Sequence, residues 1–130
     1  MTTYEYTYTT TDSDGGPALV DFDFWRGSNL PPVIWGPEME NGAPFPAAGS
    51  RFILTISWDG GLIRKDTEVE ADAFVLDERT SELTWTPTLA ESRSIPIGPV
   101  AQYEIERRIG SFQEPFITGI INGKGGINDD

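Results

Sequence analysis

The sequence predicts an all-β protein, an antiparallel β-sandwich of the Ig-like or jelly-roll-like type with a long Pro/Gly-rich loop. Several short segments alternate between apolar and polar residues, which is the pattern of strands with one buried face. Turn residues separate these segments, and the 130 residues include 14 Gly and 10 Pro. A chain of this length has room for one core. We therefore expect residues 1–130 to form a single β-sandwich domain of about eight strands.

The first two expected strands lie near the N-terminus. Three rings alternate with small polar residues and therefore share one face of an extended strand; they belong to Tyr4, Tyr6 and Tyr8. Residues 12–17 are turn-forming. After this turn, Phe22 and Phe24 alternate with acidic residues, which predicts a second strand.

The segment 27–50 predicts an extended Pro/Gly-rich loop. Five prolines and three glycines lie between its ends, so no long regular element fits, and only residues 33–35 have the pattern of a short strand. A loop of this length in a compact domain is usually functional or is ordered by a partner.

The second half contains the clearest strand, Arg51–Trp58, followed by a hairpin turn at Asp59-Gly60. A second hairpin turn is expected at Gly110-Ser111, and a short helical turn at 88–94 is interrupted by Ser92. We expect residues 122–130 to form a flexible tail. The remaining predicted strands are 62–64, 69–76, 83–86, 101–109 and 112–121.

Composition excludes several classes of function. The chain has 21 acidic and 9 basic residues, a formal net charge of −12, which repels nucleic acid and anionic membranes. Cys and His are absent, which removes thiol nucleophiles, imidazole bases and the usual ligands of zinc, haem and iron–sulfur clusters. We therefore expect no nucleic-acid partner, no membrane partner, no cofactor and no metal. Nothing near the start has the pattern of a secretion signal.

No catalytic residue is predicted. A glycosidase needs only two well-placed carboxylates, but the acidic residues here fall mainly on the polar phase of strands, as on solvated faces. Asp12-Ser13-Asp14-Gly15 has the oxygen ligands that calcium prefers but lacks the rest of a calcium loop, and the same residues form a good turn. The glycines near 119–126 are not in a phosphate-binding pattern.

Aromatic residues supply the partner-contact candidates, which are Tyr4, Tyr6, Tyr8, Trp35 and Phe45. Trp58 and Trp85 lie in phase with aliphatic neighbours, which predicts core packing. Trp35 lies within the Pro/Gly-rich loop and has two interpretations: an exposed anchor for a protein or a sugar, or a ring that folds back over the core.

Roughly residues 50–128 show a recognisable order of strands and turns. It consists of Phe52-Ile53-Leu54-Thr55-Ile56, Asp59-Gly60-Gly61, Leu83-Thr84-Trp85, Ile95-Pro96-Ile97-Gly98, Tyr103-Glu104-Ile105-Glu106 and Thr118-Gly119-Ile120. This order resembles the small β-sandwich module of tailed-bacteriophage structural proteins, and is similar to the N-terminal, virion-attached domain of upper baseplate proteins. Residues 1–49 match no such pattern, and the long receptor-binding or fibre region that would follow the module is absent.

The resemblance implies a non-enzymatic virion structural protein of the tail, neck or baseplate, made in the host cytoplasm and located in the virion. Its expected partners are other virion proteins and copies of itself, contacted through edge strands and extended loops. Two alternatives stay open: a capsid decoration (cement) protein, and a carbohydrate-binding β-sandwich module suggested by the aromatic content. A small acidic hydrolase has no support beyond its available carboxylates.

Overall fold

The computed structural model describes residues 4–9, 17–27, 32–38 and 42–125, with only the backbone described for 4–9. This part of the chain contains ten strands, one short α-helix, α1 (Leu89–Ser94), and a 3₁₀ turn (Glu70–Asp72). The strands are β1 (Tyr4–Thr9), β2 (Ala18–Leu19), β3 (Phe22–Trp25), β4 (Val33–Glu38), β5 (Arg51–Trp58), β6 (Gly61–Asp66), β7 (Phe74–Asp77), β8 (Glu82–Trp85), β9 (Gly98–Ile109) and β10 (Phe112–Lys124).

The strands form two sheets. The smaller sheet has the order β1-β4-β8-β7, and the larger has β10-β9-β5-β6, with β2 and β3 both added to the outer side of β10. We leave β2 and β3 unlettered and give β1 and β4 to β10, in chain order, the letters A, B, C, C′, D, E, F and G. The two orders then correspond to the A-B-E-D and G-F-C-C′ sheets of an immunoglobulin-type sandwich. The predicted all-β sandwich is confirmed.

Strand direction differs from the prediction at three places. β1 runs parallel to β4, with Tyr4 opposite Val33 and Thr9 opposite Glu38. β2 and β3 run parallel to β10. The sandwich is therefore mixed rather than purely antiparallel, because apolar–polar alternation reports which face of a strand is buried and not the direction of its neighbour.

Residues 27–50 do not form one continuous loop. The short strand expected at 33–35 is present and longer, since β4 covers six residues and pairs with both β1 and β8. Val33, Trp35 and Pro37 all face the core. Proline is tolerated at position 37 although β4 has a neighbour on both sides, because the antiparallel register with β8 ends at Trp35.

Three boundaries also need correction. The strand expected at 69–76 is replaced by the 3₁₀ turn and the shorter β7, with Ala73 between them at a left-handed φ of 54°. The flexible tail expected at 122–130 is wrong for residues 122–124, which belong to β10, and residues 126–130 lie outside the described part. Ser92 does not interrupt α1 but is buried within it.

The core lies between the sheets and is rich in aromatic rings. Trp35 meets Phe22 and Phe74 edge-on, with ring centroids 5.9 and 6.3 Å apart. Trp85 stacks on Phe24 at 6.0 Å. Because these rings come from β3, β4, β7 and β8, the core joins the β3 edge of the larger sheet to the centre and the β7 edge of the smaller sheet.

Candidate interaction surfaces

Trp35 is not an exposed anchor, and the structure corrects that hypothesis. Its side chain is 0% exposed, and its indole Nε1 donates a hydrogen bond to the Tyr103 hydroxyl at 3.2 Å. The interpretation in which the ring packs into the core is the one that holds, because the alternation of β4 turns position 35 inward. Trp85 belongs to the core, as predicted, and Trp58 is partly buried and packs against the core.

Phe45 is half-buried and packs within the molecule. Its ring lies 5.0 Å from that of Phe116, and the Arg107 guanidinium lies 4.9 Å from its centroid. The Ser81 hydroxyl donates to the Phe45 carbonyl. The residue therefore fixes the connection between β4 and β5, and its contact with a partner stays a prediction.

The side chains of Tyr4, Tyr6 and Tyr8 lie outside the described part of the structure. Their backbone forms β1, which ends the order of the smaller sheet. Their role as partner contacts stays a prediction, and the structure adds that the strand carrying them lies at a sheet edge.

The tip of the β9–β10 hairpin, residues 109–112, carries a large exposed aromatic ring. Phe112 is 76% exposed and lies opposite Ile109, which is itself partly exposed. The sequence prediction placed the hairpin correctly but gave this residue no role. The available signal was its position directly after the Gly-Ser turn, where a side chain has few neighbours to cover it.

The outer edge of the larger sheet carries a second group of exposed apolar residues, which we call the β2/β3 edge and define by Leu19, Trp25 and Ile120. Leu19 is 81% exposed and Trp25 is 51% exposed. A shallow open groove passes Leu19, Thr118 and Ile120. None of these three residues is among the predicted partner-contact candidates.

Polar contacts hold this edge together where the strand is broken between β2 and β3. The Asp21 carboxylate accepts a hydrogen bond from the Ile120 backbone N–H at 2.8 Å. Asn122 donates to Asp23 at 3.1 Å, and Lys124 lies 3.4 Å from the same carboxylate. Asp21 therefore bonds to the backbone of β10, and Asp23 bonds to its side chains, on the surface of the sheet.

An ion pair between the buried Asp66 and the half-buried Arg51 fixes the start of the crossover from β6 to β7. Asp66 accepts hydrogen bonds from Arg51 Nε at 3.0 and 3.1 Å, and its backbone N–H donates to Asp72 at 2.9 Å. The hydrogen bonds from Arg51 hold the pKa of Asp66 below its ordinary value, and those bonds outweigh the opposing effect of burial. This pair positions residues 67–73, which we call the acidic crossover.

The described residues contain no group of three or more Asp or Glu placed to hold a metal ion. The candidate calcium segment 12–15 lies outside them. The grooves found within residues 17–27, 32–38 and 42–125 are open and shallow, for example the one lined by Thr55, Gln102 and Glu104 on the outer face of the larger sheet. In the same part of the chain, no helix has the length and apolar character needed to cross a membrane.

Comparison with known proteins identifies no family for this chain, so the fold assignment is based on the strand order. No protein-family model matches the chain, and no curated protein matches it. Among solved structures it is similar to "Drosophila OTK, extracellular domains 3-5", with 16% sequence identity and a TM-score of 0.35. That similarity covers 85% of this chain and 34% of the other, so the chain spans about a third of the length of that structure.

Proposed function

We propose that this chain is a non-enzymatic structural protein of a bacteriophage virion, in the tail, neck or baseplate. The observation that carries the proposal is the placement of its exposed apolar side chains. Phe112 lies at the hairpin tip, and Leu19 and Trp25 lie on the β2/β3 edge. Large exposed apolar residues at tips and edges are typical of protein–protein contacts.

Phe112 and the Trp25 end of the β2/β3 edge are far apart, whereas Leu19, opposite Thr118, lies nearer the hairpin tip. Trp25 pairs with Lys124 at one end of β10, and Phe112 lies at the other end. Twelve residues of extended chain separate these ends, which corresponds to about 40 Å. An interface of ordinary size covers only about 800 Å² on each partner. Two anchors at this separation therefore favour a subunit with two neighbours over a module with one binding site.

The charge of the chain supports the same function. At −12, free subunits repel one another and stay dispersed before assembly. The same charge favours docking against a basic neighbour. Together with the resemblance of residues 50–128 to virion β-sandwich modules, which carry no catalytic residues, this supports an architectural role.

Particle fractionation tests the proposal. Particles from a lysate of the source are separated on a density gradient, washed in high salt, and divided into tail and head fractions before mass spectrometry. We expect the chain to remain with the tail fraction. Recovery with heads alone would replace the tail, neck or baseplate assignment by the capsid decoration alternative, and recovery at the top of the gradient would refute a virion role.

The carbohydrate-binding alternative now depends on a different residue. Trp35 is buried, but Trp25 is half exposed on the strand that also carries Asp23, which bonds to Asn122. An exposed ring beside polar groups suits a sugar. Saturable quenching of tryptophan fluorescence by a polysaccharide, lost in Trp25→Ala and kept in Leu19→Ala, would favour this alternative. Absence of quenching across a polysaccharide panel would remove it.

A further inference from the structure

We propose that the outer edge of β7 is a docking site for an extended basic segment of another protein, which adds to the smaller sheet as a fifth strand. The inference rests on the proposed function only for the source of that segment, a neighbouring virion protein. The edge, its charge and its groove are properties of this chain and are testable without a virion.

β7 ends the order of the smaller sheet and presents unpaired backbone groups. The Thr86 N–H donates to the Ala73 carbonyl at 3.0 Å. Because hydrogen-bonded and non-hydrogen-bonded pairs alternate along an antiparallel ladder, this bond shows which residues of β7 bond to β8. Val75 and Asp77 then bond to β8, whereas the backbone groups of Phe74 and Leu76 point away from it. No described residue hydrogen-bonds to those outward groups. They offer a template for another strand.

Side chains beside this edge provide places for alternate residues of an added strand. Val75 is 59% exposed on the outer face, where a cross-strand apolar neighbour would cover it. An open groove lies between Val75 and Leu76 of β7 and the start of the acidic crossover at Thr67 and Glu68. Ser50 also lines it. Two neighbouring apolar residues of β7 in an open groove along the edge favour an extended peptide over a single ion.

The charge around the edge selects a basic segment. β7 and the segments on either side of it carry five carboxylates, against two cations, Arg79 and Arg51, of which Arg51 lies 3.5 Å from Glu68; the carboxylates are Glu68, Glu70, Asp72, Asp77 and Glu78. Three of them accept hydrogen bonds from backbone N–H groups, Asp72 from Asp66, Glu78 from Gly49 and Asp77 from Arg79. Lysine or arginine side chains on an added strand would meet these carboxylates.

The same charge argues against other pairings. A second copy of this chain, adding its own β7, would bring two acidic edges together, and like charges at short range oppose pairing. The edge strand of the larger sheet on this side, β6, carries the exposed Arg64, and its Lys65 pairs with Glu91, so among the described residues β6 offers a basic strand no free carboxylate partner comparable to those beside β7. We therefore expect a basic segment to select β7 over β6.

A peptide titration tests the site. The probe is a short capped peptide of alternating lysine and valine, titrated into the full chain by calorimetry and by backbone amide NMR. We expect saturable binding, with the largest amide shifts at Phe74 and Leu76, weakened at high salt because the charges are screened. A glutamate–valine peptide should not bind. A lysine–valine peptide with a central proline should bind at least about tenfold more weakly, because it lacks a ladder donor.

Two variants with matched controls locate the binding. Leu76→Pro removes an outward N–H of β7 and is expected to weaken binding about tenfold. Leu62→Pro removes a backbone N–H from β6 in the same way. The Thr67 N–H donates to the Phe52 carbonyl, and the alternation of the ladder from that bond places the Leu62 N–H on the outward side of β6. This control should leave binding unchanged. If Leu76→Pro fails to fold, the exposed pair Glu68→Lys and Glu70→Lys replaces it, with Asp59→Lys and Glu104→Lys as the control.

Three outcomes would overturn the inference. Equal binding of the peptide with and without a central proline would show attraction by charge alone. Amide shifts at β6 or on the β2/β3 edge would place the site elsewhere. Dimerisation of the chain that Leu76→Pro abolishes would make a second copy the occupant. A failed titration leaves the particle result unaffected, and a chain absent from particles leaves the titration unaffected, so the two proposals fail separately.

Discussion

The Tyr103 hydroxyl shows how a single buried polar group joins both sheets. It accepts the Trp35 indole N–H from β4 and donates to the carbonyl of Val20, which lies between β2 and β3. The residue itself belongs to β9, and the Thr118 hydroxyl of β10 donates to its carbonyl at 3.1 Å. Removing Tyr103 takes the acceptor from the buried Trp35 N–H, and removing Trp35 takes one of the hydrogen bonds of the hydroxyl; either change costs free energy of unfolding.

A pair of tryptophan substitutions measures this hydrogen bond. Trp35 and Trp85 are both fully buried, but among the described residues Trp85 Nε1 has no acceptor. We expect Trp35→Phe to lower the free energy of unfolding by about 1–3 kcal/mol more than Trp85→Phe, because only the former breaks a bond. Urea unfolding followed by circular dichroism checks this. Equal losses would show that the Tyr103 bond contributes nothing.

The Arg51–Asp66 pair predicts a pH dependence. The pKa of Asp66 is lower in the folded chain than its unfolded value of about 3.9. Its contribution is therefore complete above that value and disappears as the pH falls through the lower folded pKa. We expect Asp66→Asn to lower the unfolding temperature most near neutral pH, with the difference from the unmodified chain shrinking below about pH 4.

Thermal unfolding across this pH range makes the measurement, with the exposed Glu104→Gln as control. The control should follow the unmodified chain at every pH. A difference between Asp66→Asn and the unmodified chain that stays constant from neutral to acid pH would contradict the account, since it would show that the ionisation of Asp66 is not what stabilises the crossover.

At the scale of elements, the attachment of β2 and β3 to β10 depends on a glycine. A Cβ at Gly119 would lie 2.0 Å from the Val20 carbonyl oxygen and 3.0 Å from the Tyr103 ring. The first contact is with backbone, which cannot rotate away. Any side chain at position 119 must therefore push the added edge off the sheet.

The prediction compares two glycine substitutions. Gly119→Ala should destabilise the fold by about 2–3 kcal/mol through overpacking. Gly110→Ala, at the hairpin tip with φ of +58° and open space around it, should cost about 1 kcal/mol for the left-handed backbone alone. Amide hydrogen exchange should also show β2 and β3 opening in Gly119→Ala. Equal protection of these strands in both variants would contradict the account.

Local sequence signals were sufficient for some elements. The hairpin turns after β5 and β9 carry the expected glycines, and α1 begins with a capping box in which Thr88 and Glu91 bond reciprocally. Pairing between distant segments was not predictable in the same way. Nothing in residues 4–9 indicates that their neighbour is β4, because the partner of a strand is fixed by the assembled sheet and not by the strand's own alternation.

The candidate site was less predictable than the fold. Trp35 lies among prolines and glycines, so too few alternating apolar and polar residues flank it to show whether its side chain lies on the buried or the exposed face. In β10, a register shift between Pro115 and Ile117 changes the phase of alternation, so the apolar pattern around Phe112 does not report whether it is buried. Exposure at both positions was decided by tertiary structure.

For the molecule as a whole, the proposed virion role requires that Phe112 contact a neighbouring subunit and contribute little to the free energy of folding. Phe112→Ser should change the free energy of unfolding by less than about 0.5 kcal/mol, because the ring is largely exposed. In a phage lacking its own copy of the gene, the variant supplied in trans should enter particles less efficiently than the unmodified chain. Leu62→Ser, an exposed leucine on neither proposed surface, is the control. Equal incorporation of both would remove the hairpin tip from the interface.

The most direct test of the central claim is the number of copies of this chain in each particle. Quantitative mass spectrometry of salt-washed, gradient-purified particles would compare it with the major capsid and tail proteins. The proposed virion role predicts a fixed copy number that matches the rotational symmetry of a tail, neck or baseplate ring, because repeated subunits assemble into rings with closed symmetry. A variable trace amount, or none, would contradict it.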